Sequence, residues 1–217
     1  KSSPQRFATV RRVEERGGGL LELALDQSIK VAGRFVIDAT GRKALIARKK
    51  ANRRKIDKLI CAYNYFCQVD KSVEPSAGPL IEACAGGCFY SSLLPERRMV
   101  VCWFTDADLM APTKTRVQLD QGWYEQLRTS KVTRRRLQSA GYVLDRPEYP
   151  SHFYADASTQ CMTHLYGRNW AAVGDAAMTF DPLSSHGMVS AVWSGKRVAQ
   201  AVIDGFDRPS ESLADYA

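Results

Sequence analysis

The chain has 217 residues, 45% hydrophobic and 25% charged, an ordinary make-up for a globular protein with room for one or two packed units. No apolar run approaches the roughly 18 residues that a membrane-crossing helix needs, and the opening KSSPQRFATV holds no signal-peptide core. The net charge of +8 is concentrated at residues 42–55 (RKALIARKKANRRK) and 131–136 (KVTRRR). These are either solvated helical faces or a surface that attracts an acidic partner or a cofactor's phosphates, and nucleic acid is disfavoured because no aromatics are interleaved for stacking.

Residues 7–13 alternate apolar and polar side chains, 14–19 (EERGGG) read as a turn, 20–25 as a strand, 26–28 as a second turn and 29–32 as a strand. Together they predict a small antiparallel meander. Residues 35–37 are a continuous apolar run, the mark of a strand buried on both faces. It ends in Asp38, Ala39, Thr40 and Gly41, as at the carboxyl edge of a parallel sheet, where open α/β folds bind ligands. Residues 43–56 read as a basic helix. Leu59, Cys61, Tyr63, Tyr65, Cys67 and Val69 then alternate onto one face of a strand. Further strands at 80–84, 88–94 and 99–104, with Pro95, Glu96 and Arg97 closing a hairpin, predict an antiparallel sheet of about four strands. Helices are expected at 119–130 and 132–140, ended by Gly141, then a loop with Pro147 and Pro150 and a strand at 152–155. Residues 170–173 return to the buried-strand texture. Residues 188–203 predict a helix, with Met188, Ala191, Val192, Val198, Ala199, Val202 and Ile203 at helical period.

The most informative stretch is 171–190, AAVGDAAMTFDPLSSHGMVS. A buried strand runs into Gly174 and Asp175, a loop carries Pro182, and Gly187 opens a helix. A carboxylate beside a helix N-terminus can accept hydrogen bonds from sugar-type hydroxyls while the free N–H groups stabilise negative charge. The plain alternative is that Asp175 caps a helix and touches no ligand. His186 is either a structural, hydrogen-bonded residue or a group for substrate contact or proton transfer, and His152 and His164 read as structural. Asp181, ahead of Pro182, is expected to be extended and to cap or orient the loop. The six cysteines form no C-x-x-C pair, so a zinc site is not expected, and the chain reads as reduced and cytoplasmic. The fold class is α/β with an α+β insert: an α/β piece, an antiparallel sheet with helices, and a second α/β piece completing the first.

FVIDATGR (35–42) and AAVGDAAMTFDPLSSHG (171–187) resemble two signatures of the FAD-dependent monooxygenase and halogenase superfamily, the aromatic-hydroxylase-type flavoproteins. The resemblance implies a partial FAD-binding, Rossmann-like domain at 1–56 and 166–217, with an inserted substrate-binding antiparallel sheet and helices at 57–165. It implies that Asp175, following Gly174, binds the ribityl hydroxyls of FAD. Pro182 would pack over the isoalloxazine, Gly187 and Met188 would lie near the flavin N1/C2 carbonyl, and Asp38 to Gly41 would approach the ADP half. Tyr65, Phe89, Tyr90 and Trp103 would line the substrate side, with Tyr63 on the same sheet; the alternative for each is core packing.

The implied activity is hydroxylation of an aromatic or other electron-rich substrate through a flavin C4a-hydroperoxide, with NAD(P)H or a flavin reductase as reductant. Three departures matter. No G-x-G-x-x-G occurs, so the chain is expected to be part of a larger protein. Met178 stands where many relatives have His. The segment 87–95, GCFYSSLLP, lacks the tryptophans of the halogenase W-x-W-x-I-P pattern, which makes halogenation the weaker alternative. DPLSSHGM also resembles the subgroup that modifies a tryptophan in a partner protein during quinone-cofactor maturation, so the substrate is either a small aromatic molecule or a polypeptide. A non-enzymatic alternative is a basic interaction module with a vestigial flavin motif.

Overall fold

The computed structural model describes residues 9–16, 20–26, 29–110, 115–205 and 212–216. The predicted meander forms: β1 (Val10–Arg16), β2 (Leu20–Leu25) and β3 (Lys30–Gly33) pair antiparallel in that order. Alternation sets Leu21, Leu23 and Val13 on the packed face. The expected turn residues 17–19 and 27–28, and the expected strand start at 7–8, lie outside the described residues.

β4 (Val36–Asp38) follows, but it is not buried on both faces. Alternation sends Ile37 to an open face, where it is 42% exposed, and turns Asp38 inward, where it is 1% exposed. Residues 43–56 do not form the predicted helix. They make a tight 3₁₀ turn, one α-helical turn, α1 (Ala47–Lys50), and a strand, β5 (Arg53–Lys55). Ala44 adopts a left-handed φ of 43°, which stops a helix from starting there. Asn52 and Thr163 then exchange hydrogen bonds (Thr163 N to Asn52 O, 2.8 Å; Asn52 N to Thr163 Oγ1, 3.1 Å) and draw the following residues into a sheet.

β6 (Leu59–Cys67), β7 (Leu80–Cys84), β8 (Gly87–Leu94) and β9 (Arg98–Asp106) are the four predicted strands. Glu96 and Arg97, at φ of 60° and 58°, tighten the β8–β9 connection. α2 (Arg116–Thr129) starts at a capping box in which Thr115 and Gln118 satisfy each other's backbone N–H groups. α3 (Val132–Ser139) is capped from β7: the Glu82 carboxylate accepts from the N–H groups of Lys131, Val132 and Thr133 at 2.7, 3.0 and 2.7 Å. β10 (Phe153–Asp156) adds a fifth strand, giving the order β10-β6-β9-β8-β7.

One face of this sheet is the core. Phe66, Phe89, Met99 and Val101 are fully buried with Trp123, Leu127 and Leu137 of α2 and α3, and the Trp123 indole donates to Ala62 O at 3.1 Å. Cys61, Tyr63 and Tyr65 do share a face of β6, but it is the opposite one; the packed face carries Ala62, Asn64 and Phe66. Asn64 tolerates burial because its amide donates to Tyr149 O and accepts from Tyr65 N.

The chain then makes β11 (Gln160–Met162), β12 (Tyr166–Gly167), β13 (Trp170–Ala172), β14 (Met178–Thr179) and α4 (Gly187–Asp204). β11 lies between β14 and β5, antiparallel to both, and β13 lies between β12 and β4, parallel to β4. All three residues of β13 are buried, as expected for a central strand. The chain divides into two compact units, Lys1–Ile56 with Gln160–Ala217, and Asp57–Thr159. Among the described residues no helix is long and apolar enough to cross a membrane. α4 departs from its expected pattern: Ser194, Val198 and Ala201 form the buried stripe, whereas Met188, Val192 and Ile203 are exposed.

Candidate functional site

β13 passes through Val173, whose N–H donates to Asp38 O at 2.9 Å, into the tight turn Gly174–Ala176. Gly174 has φ +55° and donates its N–H to Ser194 Oγ of α4 at 2.9 Å. A Cβ at Gly174 would stand 3.1 Å from Ala191 Cβ, so glycine is what lets α4 sit against the turn. Asp175 is half-buried, and among the described residues no donor meets its carboxylate. Its Oδ1 lies 4.0 Å from the point where a Cβ on Gly187 would stand. The N-terminus of α4 has no side-chain cap from His186 and no acid in its first turn. An uncapped helix start leaves N–H groups unsatisfied, with partial positive charge. The fold thus brings an uncommitted carboxylate and an uncommitted helix N-terminus together. One can accept hydrogen bonds from hydroxyls; the other can stabilise an oxygen that gains negative charge.

The loop between them is ordered by its own side chains. Asp181 caps it as the sequence predicts, accepting from Leu183 N at 2.9 Å, and Pro182 opens the turn Pro182–Ser184. His186 is exposed, and its Nδ1 lies 2.7 Å from Ser184 O. A carbonyl only accepts, so Nδ1 carries the proton and Nε2 is left toward solvent. Met188 is 83% exposed on the first turn of α4. Beside this loop an apolar cavity of about 340 Å³ is lined by Leu165, Phe180, Val189, Trp193 and Tyr216. A small polar pocket joins Asp175 to Arg53, Gln160, Cys161 and Thr179.

Asp38 is held differently. Its carboxylate accepts from Thr40 N (3.0 Å), Thr40 Oγ1 (2.6 Å), Ile46 N (2.7 Å) and Ala47 N (2.9 Å). Gly41, at φ +63°, accepts from Ala44 N at 2.9 Å. Asp38 and Gly41 therefore build the loop after β4, and the Asp38 oxygens are already engaged by the chain itself.

The four aromatic residues expected on the substrate side divide between the two faces of their sheet. Phe89 and Trp103 stack in the core under α2 and α3, with ring centroids 6.4 Å apart, which corrects the expectation that they line an open face. Tyr65 and Tyr90 lie on the opposite face with Tyr63 and Cys102. That face also holds Phe153, stacked on Tyr63 at 5.4 Å, with Tyr149 beside it at 5.1 Å; the sequence reading passed over both. Phe153 follows the predicted strand start at His152, so alternation was the available signal; Tyr149 sits in a loop and had none. Arg98 lies 4.7 Å over the Tyr65 ring. On the same face a hydrogen bond with Cys102 and burial push the Cys61 thiol up, and the same bond lowers Cys102.

No family model matches the chain. Over 170 residues it is 25% identical to the Marinomonas mediterranea protein described as "Putative FAD-dependent oxidoreductase LodB", covering 78% of this chain and 44% of that one. Its fold matches CmlS, a flavin-dependent halogenase, with a TM-score of 0.75 at 20% identity, covering 96% of this chain and 38% of that chain. It matches the peptidyl tryptophan dihydroxylase QhpG with a TM-score of 0.71 at 23% identity, covering 94% and 43%. The flavin-dependent brominase Bmp2 gives 0.77 at 15% identity, covering 97% and 54%. The chain spans less than half the length of LodB, CmlS and QhpG. The resemblance carried by the two sequence blocks is shown: this chain has the fold of part of the FAD-dependent oxidoreductase and halogenase superfamily.

Proposed function

We propose that the chain is part of an FAD-dependent monooxygenase that hydroxylates an aromatic or other electron-rich substrate, with Lys1–Ile56 and Gln160–Ala217 contributing to flavin binding and Asp57–Thr159 to substrate binding. The observation that carries this reading is the meeting of the free Asp175 carboxylate with the uncapped start of α4 at Gly187. The residues present fit a flavin there. Asp175 would accept from the polyol hydroxyls, the N–H groups of Gly187 and Met188 would face the ring's carbonyl edge, and Pro182 would flank the ring. Bound FAD would supply the oxygen-transfer chemistry; the protein's part is binding, orientation and exclusion of water. His186 offers Nε2 at the loop surface as a proton acceptor or donor, its ring fixed through Nδ1. Tyr65 and Tyr90, with Tyr63 and Phe153, would stack the substrate's ring.

A second reading places the reacting group on a polypeptide side chain. The match to a peptidyl tryptophan dihydroxylase and the basic segment at 42–55 favour it. Halogenation is the third, and chloride-dependent product would mark it. The first test is the full-length protein purified without added flavin. Visible flavin absorbance, lost in Asp175→Ala with the fold intact, is the expected result; a colourless protein that does not take up FAD overturns the reading.

A further inference from the structure

Between Asp38 and Asp57 the sequence has eight Lys and Arg residues and no carboxylate. The fold does not wrap them around a helix. It spreads them over a turn, α1 and β5, and Lys43, Arg48, Lys49, Arg53, Arg54 and Lys55 are all exposed. β5 is an edge of the sheet β14-β11-β5, and the other two strands, Met178–Thr179 and Gln160–Met162, contribute no acid. Lys50 is paired with Glu15 at 2.8 Å, whereas among the described residues Arg48, Lys49, Arg53 and Arg54 have no ion-pair partner. Charges on an edge strand also deter unwanted pairing. Here all three residues of a three-residue edge strand are cationic, and Arg53 lines the small pocket that holds Asp175.

We infer that this strip is the docking surface for an extended acidic segment of a polypeptide, which lies along α1 and adds to the edge of β5. Backbone pairing supplies register, and carboxylates meeting Lys49 and Arg54 supply selectivity. A chain laid along β5 is led toward Arg53 and Asp175, so the strip would deliver a polypeptide substrate to the candidate flavin cradle. Nucleic acid fits less well, because residues 39–58 contain no aromatic side chain on which a base could stack.

The inference rests on the polypeptide-substrate reading, and its test is separable from that of the flavin. Full-length protein is titrated against a fluorescein-labelled peptide of alternating Glu and Val, its Gln-for-Glu counterpart, and oligo(dT), with fluorescence anisotropy as the readout. The Glu peptide is expected to bind, to weaken with salt, and to lose at least about tenfold in affinity with Lys49→Glu/Arg54→Glu. The milder Lys49→Gln/Arg54→Gln variant serves if the reversal impairs folding. Hydrogen exchange is expected to slow at the amides of 53–55 when the peptide binds. Equal binding of the Gln peptide, full binding by the variants, no protection at 53–55, or tighter binding of oligo(dT) overturns it. Flavin absorbance of the same samples reports on the cofactor independently of these outcomes.

Discussion

The two compact units solve the problem of an apolar surface in opposite ways. In Asp57–Thr159 the sheet buries one face completely under its own helices, with Trp123 fitted against Phe66 and Phe89 at centroid distances of 6.3 and 5.9 Å. In the other unit, α4 buries one stripe and leaves Met188, Val189, Val192 and Trp193 in the open, as β4 leaves Ile37. Two carboxylates differ in a similar way. The Glu82 carboxylate is fully used in capping α3, whereas Asp175 is used for nothing within the described chain. A carboxylate consumed in capping serves the fold; an acid, a helix start and an apolar stripe left uncommitted are available to a ligand.

That contrast can be broken in graded ways. Trp123→Ala removes the largest fully buried ring of Asp57–Thr159 and an indole hydrogen bond; urea unfolding should show a loss of about 3–5 kcal/mol. Asp38→Ala strips the buried acceptor from four donors and should cost about 2–4 kcal/mol, whereas Asp175→Ala should cost no more than about 1 kcal/mol while abolishing flavin retention. Equal stability losses at the two acids would erase the distinction drawn between them. Gly174→Ala forces a side chain onto φ +55° and against Ala191, and should cost about 1–3 kcal/mol by thermal unfolding.

The smallest effect is pH-dependent. Burial raises the Glu82 carboxyl, but the amides of Lys131, Val132 and Thr133 outweigh it and hold it below the usual glutamate range. A folded pKa below the unfolded one gives stability that is complete above the ordinary value near ~4.3 and is lost as pH falls through the folded value. The stability difference between wild type and Glu82→Gln should therefore be constant at neutral pH and shrink in acid. A difference that grows as pH falls would contradict the capping role.

Much was legible in the sequence because local chemistry decides it. The meander, the β8–β9 hairpin, the body of α2, the buried β13 and the Asp181-Pro182 loop follow from alternation, turn residues and helical period acting over a few neighbours. The FVIDATGR and GDAA blocks carried the superfamily. Three things were not legible. Residues 43–56 have the composition of a helix, but Asp38 and Thr163, distant in sequence, claim the backbone groups at Ile46, Ala47 and Asn52. Alternation along β6, β8 and β9 separates two faces without saying which meets α2 and α3, so the sequence groups Phe89 and Trp103 with Tyr65 and Tyr90.

The third concerns the acids themselves. Asp38 and Asp175 occupy equivalent places in the sequence, each at the end of a short apolar strand before a turn. Sequence alone determined that two such strand ends exist and that a helix starts after the second. Only the tertiary structure decided that Asp38 is consumed by the amides after β4 while Asp175 stays free beside Gly187. Whether a carboxylate is a cap or a binding group depends on which donors arrive within hydrogen-bond reach. Parallel pairing of β4 with β13 and the close seat of α4 on Gly174 set those distances; no short stretch of sequence does.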